Sequence, residues 1–199
     1  LCLILTEASC RQDWSTVVRV SIEAGVDCIQ IREKHLTTVD LVARTRAVRE
    51  LVGDQPVDVI VNDRVDVALA AGATGVHVGA EDLTVGQVRA IAGGELLVGA
   101  TVRSSEDVVR VMAAGASSCG IGPMFTSETK PELTAAGPQR LRSLLPALRG
   151  RPHLAIGGID ERTITAVLEA GAKGVAVCHA ICGAADPAAA AGRLLDQIP

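Results

Sequence analysis

Asp63 and Asp82 are the residues best placed to do chemistry. Asp63 follows the β-branched run at 57–61 by way of Asn62, and Asp82 follows the apolar run at 75–78 by way of Gly79-Ala80-Glu81. In α/β proteins ligands gather at the C-terminal ends of the strands. Two carboxylates there, with few other donors, suit Mg²⁺, which completes its shell with waters and phosphate oxygens. The blander alternative is that Asp63 caps the next helix and Asp82 opens a turn.

Cations face these carboxylates from a neighbouring stretch. Residues 30–34 read Gln30-Ile31-Arg32-Glu33-Lys34. Strand alternation puts Gln30 and Arg32 on one side, with Lys34 in the loop beyond. Two cations opposite two carboxylates would hold a diphosphate–Mg²⁺ ligand; otherwise they are surface charge paired with Glu33. A long loop, residues 120–130, offers small residues, the hydroxyls of Thr126, Ser127 and Thr129, and the charge of Lys130. Long loops at this face are usually functional. Gly157-Gly158 and Cys178-His179 end two later strands, where barrel proteins commonly hold phosphate; a plain tight turn is the alternative for the glycine pair. His77 falls mid-strand and reads as a core or rim residue, while His35 and His153 read as positions without partners. No Ser-His-Asp grouping occurs, and Gly120 to Gly122 lacks the helix a dinucleotide site needs.

The elements that must position these residues are announced by a repeat. Residues 24–31, 71–78, 114–121 and 170–177 each run Ala-Gly, a two-residue link and a short buried strand. Glycine after a helix takes the left-handed conformation without a Cβ penalty. Between the repeats lie four more strands, at 1–6, 57–61, 96–100 and 153–156. Helical faces are marked by Trp14, Val17, Val18 and Ile22, by Val108, Val111 and Met112 after Ser104-Ser105, and by Ile164, Val167 and Leu168 after the expected cap Asp160. Gly137-Pro138 and Asp186-Pro187 open two further helices. Eight strands, each followed by a helix, predict a (β/α)₈ barrel as a single domain over residues 1–199. The alternative is an open doubly wound sheet.

Composition narrows the classes. The chain has 199 residues, 48% of them hydrophobic, which excludes disorder. A net charge of −4 without a basic cluster argues against nucleic acid. No apolar stretch of membrane-span length and no signal peptide are seen, so a cytoplasmic protein is expected. Leu1 is not a start methionine, so residues upstream are expected. Cys2, Cys10, Cys28, Cys119, Cys178 and Cys182 lack CxxC spacing; Cys2, Cys28, Cys119 and Cys178 fall in apolar runs, and all are expected to be reduced. Cys178 and Cys182 fit one helical turn, but a metal there would need further ligands. Homo-oligomer formation is left open.

QIREK at 30–34, VNDRVDVALAAGATGVHVG at 61–79 with Asp82, GPMFTSETK at 122–130 and AIGGI at 155–159 together resemble the thiamine phosphate synthase family. The resemblance runs nearly end to end. It implies a (β/α)₈ transferase joining a hydroxymethylpyrimidine diphosphate to a thiazole phosphate, with release of pyrophosphate. By position, Gln30 and Asn62 resemble pyrimidine-site residues; Arg32, Lys34 and Lys130 resemble diphosphate binders that stabilise the leaving group; Asp63 and Asp82 resemble Mg²⁺ ligands. Ser127 and Thr129 resemble hydroxyl contacts, and Gly158 with the backbone of Cys178 and His179 resembles the thiazole phosphate site.

The chain also departs from that family. Thr101 and His179 stand where Ser is common, Arg103 where His is, Ala80 where Gln is and Ser127 where Thr is. Thr101, as a hydroxyl, is retained among the substrate-binding candidates. Two other readings stay in view: a thiazole tautomerase, a sister family that carries His where this chain has Pro123, and a non-catalytic barrel binding thiamine-related ligands.

Overall fold

Short apolar runs ending in helix caps produce parallel strands, because each strand must return past a helix before the next can pair. The computed structural model describes residues 1–126 and 135–199. Its strands are β1 (Cys2–Leu5), β2 (Cys28–Ile31), β3 (Asp58–Asn62), β4 (Gly75–Val78), β5 (Leu97–Val102), β6 (Ser118–Ile121), β7 (His153–Ile156) and β8 (Val175–Val177). They pair in sequence order and β8 closes on β1, giving a (β/α)₈ barrel rather than an open sheet. The helices are α1 (Trp14–Glu23), α2 (Thr38–Val52), α3 (Val65–Ala71), α4 (Val85–Ala92), α5 (Ser105–Ala113), α6 (Gly137–Leu148), α7 (Ile164–Glu169), α8 (His179–Cys182) and α9 (Pro187–Leu195).

The four repeat glycines, Gly25, Gly72, Gly115 and Gly171, all have positive φ, at 106°, 67°, 94° and 102°. The repeat is therefore a helix stop used four times. Helix starts are fixed as locally: Asp13 accepts from the amides of Ser15 and Thr16, and Thr84 and Ser104 form capping boxes. Each such cap contributes about 1 kcal/mol.

Strand alternation splits the interior into two layers. Leu3, Leu5, Ile29, Ile31, Val61 and Val76 turn outward and pack beneath the helices. Each such side chain contributes roughly 1.5–3 kcal/mol on burial. Cys2, Ile4 and Ala176, with Cys28, Leu154, Ile156 and Cys178, form a smaller apolar cluster on the axis. The residues that share the axial side of their strands with this cluster are the ones that reach the barrel mouth.

Several expectations shift. β3 runs to Asn62 and β5 to Val102, so Asn62 and Thr101 belong to strands rather than loops. α7 begins at Ile164 with Thr163 as its flanking residue. Asp160 instead caps the turn before it, accepting from the amides of Arg162 and Thr163 at 2.9 and 3.1 Å. β8 is followed by the extra turn α8 before α9, and Cys178 lies just past the strand, as the residue flanking α8. His153 is buried with partners, its Nδ1 3.1 Å from the Arg151 carbonyl oxygen and its Nε2 3.4 Å from that of Gly171. Among the described residues, no helix is long and apolar enough to cross a membrane.

Candidate active site

At the end of β3 the backbone turns sharply. Asp63 takes φ 65°, a conformation that costs a non-glycine residue energy, while its amide donates to the His77 carbonyl at 2.8 Å. The residue flanking α3 is Arg64, without a side-chain cap bond, so Asp63 does not cap that helix. Asp82 does hold a turn, its Oδ2 accepting from the Gly79 amide at 2.7 Å. Burial and then the adjoining Asp82 carboxyl push Asp63 up to about 6, opposed by the charges of Lys34 and Arg32. The Lys34 Nζ lies 3.9 Å from Asp63 Oδ2.

The two carboxylates thus meet at the mouth with cations beside them. Among the described residues, no group of three or more His, Cys, Asp or Glu is arranged to hold a metal ion. The protein donors here are a pair of oxygen ligands whose mutual repulsion a divalent cation would relieve. That donor set fits Mg²⁺ better than zinc, which takes His and Cys ligands.

Glu33 does not neutralise Arg32 and Lys34. It turns the other way, its Oε1 accepting from the Glu7 amide at 2.6 Å and from Arg44 Nη1 at 3.5 Å. Arg44 in turn lies 4.1 Å from the centre of the Trp14 ring. Arg32 itself is tied at its backbone, the amide donating to the Leu5 carbonyl and the carbonyl accepting from Thr6 Oγ1 at 3.0 Å. The pairing of Arg32 or Lys34 with Glu33 is therefore not what the structure shows.

Gln30 and Asn62 occupy axial positions of their strands, Gln30 only 7% exposed. Asn62 pairs in register with His77, whose Nε2 lies 3.0 Å from Thr101 Oγ1. A Cβ at Gly99 would come within 2.6 Å of the His77 Nδ1, and one at Gly120 within 2.9 Å of its Cε1. The ring thus lies across two glycines at the barrel mouth. His77 is therefore a half-buried rim residue with a partner, and strand alternation from Gly75 puts it on the axial side.

A second cavity, of about 460 Å³, lies between the β7 and β8 ends, lined by Ile156, Gly157, Gly158, Cys178, His179 and Thr126 among others. The glycine pair is shaped mainly by the chain itself. Gly158 has φ 63°, and a Cβ there would meet the Phe125 Cβ at 2.8 Å. The carbonyls of Ile156 and Gly157 accept from the amides of Met124 and Phe125, both at 2.9 Å. Close approach to the neighbouring loop is thus an immediate reason for the glycines. The exposed His179 ring lies against Gly183, where a Cβ would meet the ring within 2.6–2.8 Å. Ala80 and Arg103 are exposed. Ser127, Thr129 and Lys130 lie outside the described residues.

Comparison with known proteins agrees with this geometry. The profile of the TMP-TENI family, thiamine monophosphate synthase, matches residues 1–181. A thiamine-phosphate synthase of Albidiferax ferrireducens is 41% identical, covering 92% of this chain and 83% of that protein. One from Methanoculleus marisnigri is 42% identical, covering 92% and 86%. The solved thiamine phosphate pyrophosphorylase from Pyrococcus furiosus superposes with a TM-score of 0.89 at 31% identity, covering 99% of this chain and 94% of that one. With its closed eight-stranded barrel and a match over nearly its whole length, the chain belongs to the thiamine monophosphate synthase family.

Proposed function

We propose that residues 1–199, as one barrel domain, act as a thiamine-phosphate synthase, a transferase that couples hydroxymethylpyrimidine diphosphate to thiazole phosphate and releases pyrophosphate. The observation that carries this reading is the Asp63–Asp82 carboxyl pair with Lys34 beside it, set at the same barrel face as the second cavity. Membership of the family supports it.

In this reading Asp63 and Asp82 would hold Mg²⁺, an ion suited to a pair of carboxylates beside a diphosphate. The bound ion would offset charge that develops on the diphosphate oxygens. Arg32, Lys34 and Lys130 bind the same diphosphate and keep their charge as the C–O bond to the pyrimidine methylene breaks. Gln30 and Asn62 orient the pyrimidine through their amides, and Thr101, held by His77, adds a hydroxyl. Ser127 and Thr129 contribute hydroxyls from the loop after β6.

Gly158, Cys178 and His179 are proposed to seat the thiazole phosphate in the second cavity, which aims the thiazole nitrogen at the methylene carbon. That nitrogen attacks with a lone pair and carries no proton, so the step needs orientation rather than a general base. A cytoplasmic setting belongs to the same proposal, since reduced cysteines suit it. Association of copies of the chain belongs to the same reading and is testable by sedimentation.

The test is pyrophosphate release from the purified chain with both substrates and Mg²⁺. Coupling that needs both substrates and the metal is expected. Tight binding of both without turnover would replace the proposal with a non-catalytic barrel, and isomerisation of the thiazole alone would replace it with a tautomerase.

A further inference from the structure

Three thiols meet beside the second cavity, and the coupling chemistry uses none of their sulfurs. Cys178 is half-buried and lines that cavity; Cys182, on α8, is fully buried; Cys10 is half-buried after the 3-10 turn Glu7–Ser9. Cys182 lies within hydrogen-bonding reach of both Cys10 and Cys178. Its Sγ lies 3.7 Å from the Ile4 carbonyl oxygen, while Cys10 Sγ donates to that of Thr6 at 3.5 Å.

The surroundings favour one sulfur as the nucleophile. A hydrogen bond from Cys182, then the hydroxyls of Ser9 and Thr6 and the charge of Arg32, hold Cys178 down to about 6 against its burial. Cys182 is pushed the other way, far above the ordinary thiol range, by its two thiol neighbours and by burial. Of the pair, only Cys178 opens on the cavity. A low-pKa thiol with a second thiol in reach is the arrangement of redox-responsive cysteines.

We propose that Cys178 and Cys182 are a reversible, peroxide-sensitive thiol pair whose disulfide braces the wall of the second cavity. The Cys178 thiolate attacks one oxygen of a hydroperoxide; the O–O bond breaks, and the remaining oxygen leaves as an alcohol or water after taking a proton. The resulting Cys178 sulfenic acid is attacked by the Cys182 sulfur. The S–O bond breaks, hydroxide leaves with the Cys182 proton as water, and the S–S bond forms. Two thiols have passed two electrons to one peroxide.

The helix sets the consequence. Cys178 flanks α8 with non-helical angles, φ −118° and ψ −80°, and Cys182 is the last residue of that turn; a disulfide would fix their Cβ atoms about 3.5–4.5 Å apart. α8 is a single turn of four residues, closed by the bonds from the Cys182 amide to the Cys178 carbonyl and from the Gly183 amide to the His179 carbonyl, both at 2.9 Å. A covalent bond from the residue flanking α8 to its last residue would brace the whole turn against the strand end, and Cys178, His179 and Ala180 line the cavity.

The test treats the full chain with hydrogen peroxide at pH 7 and reads intact mass, a non-reducing peptide map and hydrogen exchange. The wild type is expected to lose two hydrogens, show one Cys178–Cys182 crosslink and revert with dithiothreitol. Exchange at the Cys182 and Gly183 amides should slow about tenfold in the oxidised form. Cys182→Ser should instead gain one oxygen at Cys178, captured by dimedone, and Cys10→Ser should behave as the wild type. A Cys10–Cys182 crosslink, thiols that survive peroxide sufficient to oxidise free cysteine, or a disulfide with unchanged exchange would each overturn the proposal. None of these readings needs turnover, so failure of the coupling assay would leave them intact.

Discussion

His77 and Thr101 are joined across adjacent strands, Nε2 to Oγ1 at 3.0 Å, with the imidazole ring laid over Gly99 and Gly120. The two glycines leave the space that an alanine methyl would take from the ring. The glycines and the histidine therefore act as one unit, which a double-mutant comparison can expose.

Gly99→Ala removes no functional group, yet its Cβ would sit 2.6 Å from His77 Nδ1 and must displace the ring. It should lower kcat/KM by a factor close to that of His77→Ala, and the double variant should be no worse than either. Full additivity of the two losses, or wild-type kinetics for Gly99→Ala, would show that the ring position is irrelevant to coupling.

Asp82→Asn tests the carboxylate pair. Asparagine keeps an oxygen to accept from the Gly79 amide, so the turn held at 2.7 Å survives while the charge is lost. The Mg²⁺ concentration for half-maximal coupling should rise about tenfold or more, with thermal stability within about 1 kcal/mol of wild type. An unchanged Mg²⁺ midpoint would remove Asp82 from the ligand set.

The eight-strand alternation was readable because each strand-helix unit carries its own local punctuation: Gly25, Gly72, Gly115 and Gly171 all stop helices with positive φ. The placement of candidate residues was legible where the strand period decides it, as for the axial positions of Gln30 and Asn62. It was less legible where long-range packing decides. Sequence neighbours leave a pairing of Glu33 with Arg32 or Lys34 open as an alternative, and Glu7 and Arg44, distant in the chain, turn it away. The positive φ of Asp63 and the thiol group of Cys10, Cys178 and Cys182 likewise depend on closure of β8 onto β1 or on neighbouring strand ends, which no local window contains.

Lys130 closes the GPMFTSETK motif at 122–130, and Lys130→Ala removes its charge. Charge stabilisation that grows as pyrophosphate leaves should be lost, so kcat should fall by about ten- to a hundredfold. KM for the diphosphate substrate should change less. A change confined to KM would assign Lys130 to ground-state binding.

Gly158→Ala separates backbone strain from packing when set beside Gly137→Ala. Both glycines have φ near +65°, at 63° and 69°, so both substitutions carry a left-handed cost of about 1–2 kcal/mol. Only at Gly158 would the new methyl also meet other atoms, the Thr126 carbonyl oxygen and, at 2.8 Å, the Phe125 Cβ, whereas nothing lies within 4 Å at Gly137. Gly158→Ala should therefore lose more stability, by about 1–3 kcal/mol, in urea unfolding. Equal losses would mean that the loop after β6 yields freely.

Alkylation of Cys178 by iodoacetamide reads its ionisation directly, because only the thiolate reacts. With Cys178 held down to about 6, its rate should climb between about pH 5 and pH 7 and then level off. An ordinary thiol, with a pKa of about 8.5, would still be gaining reactivity through pH 8 and beyond. Cys182→Ser exchanges the first of the groups that lower Cys178 for a hydroxyl, which can still donate to it, so the midpoint should move little. Cys182→Ala removes that hydrogen bond, leaves burial in place and should move the midpoint upward. Peptide-level mass spectrometry after timed labelling separates Cys178 from the other five cysteines. A wild-type midpoint near pH 8.5, or one that ignores Cys182→Ala, would mean that Cys182 does not set the charge of Cys178.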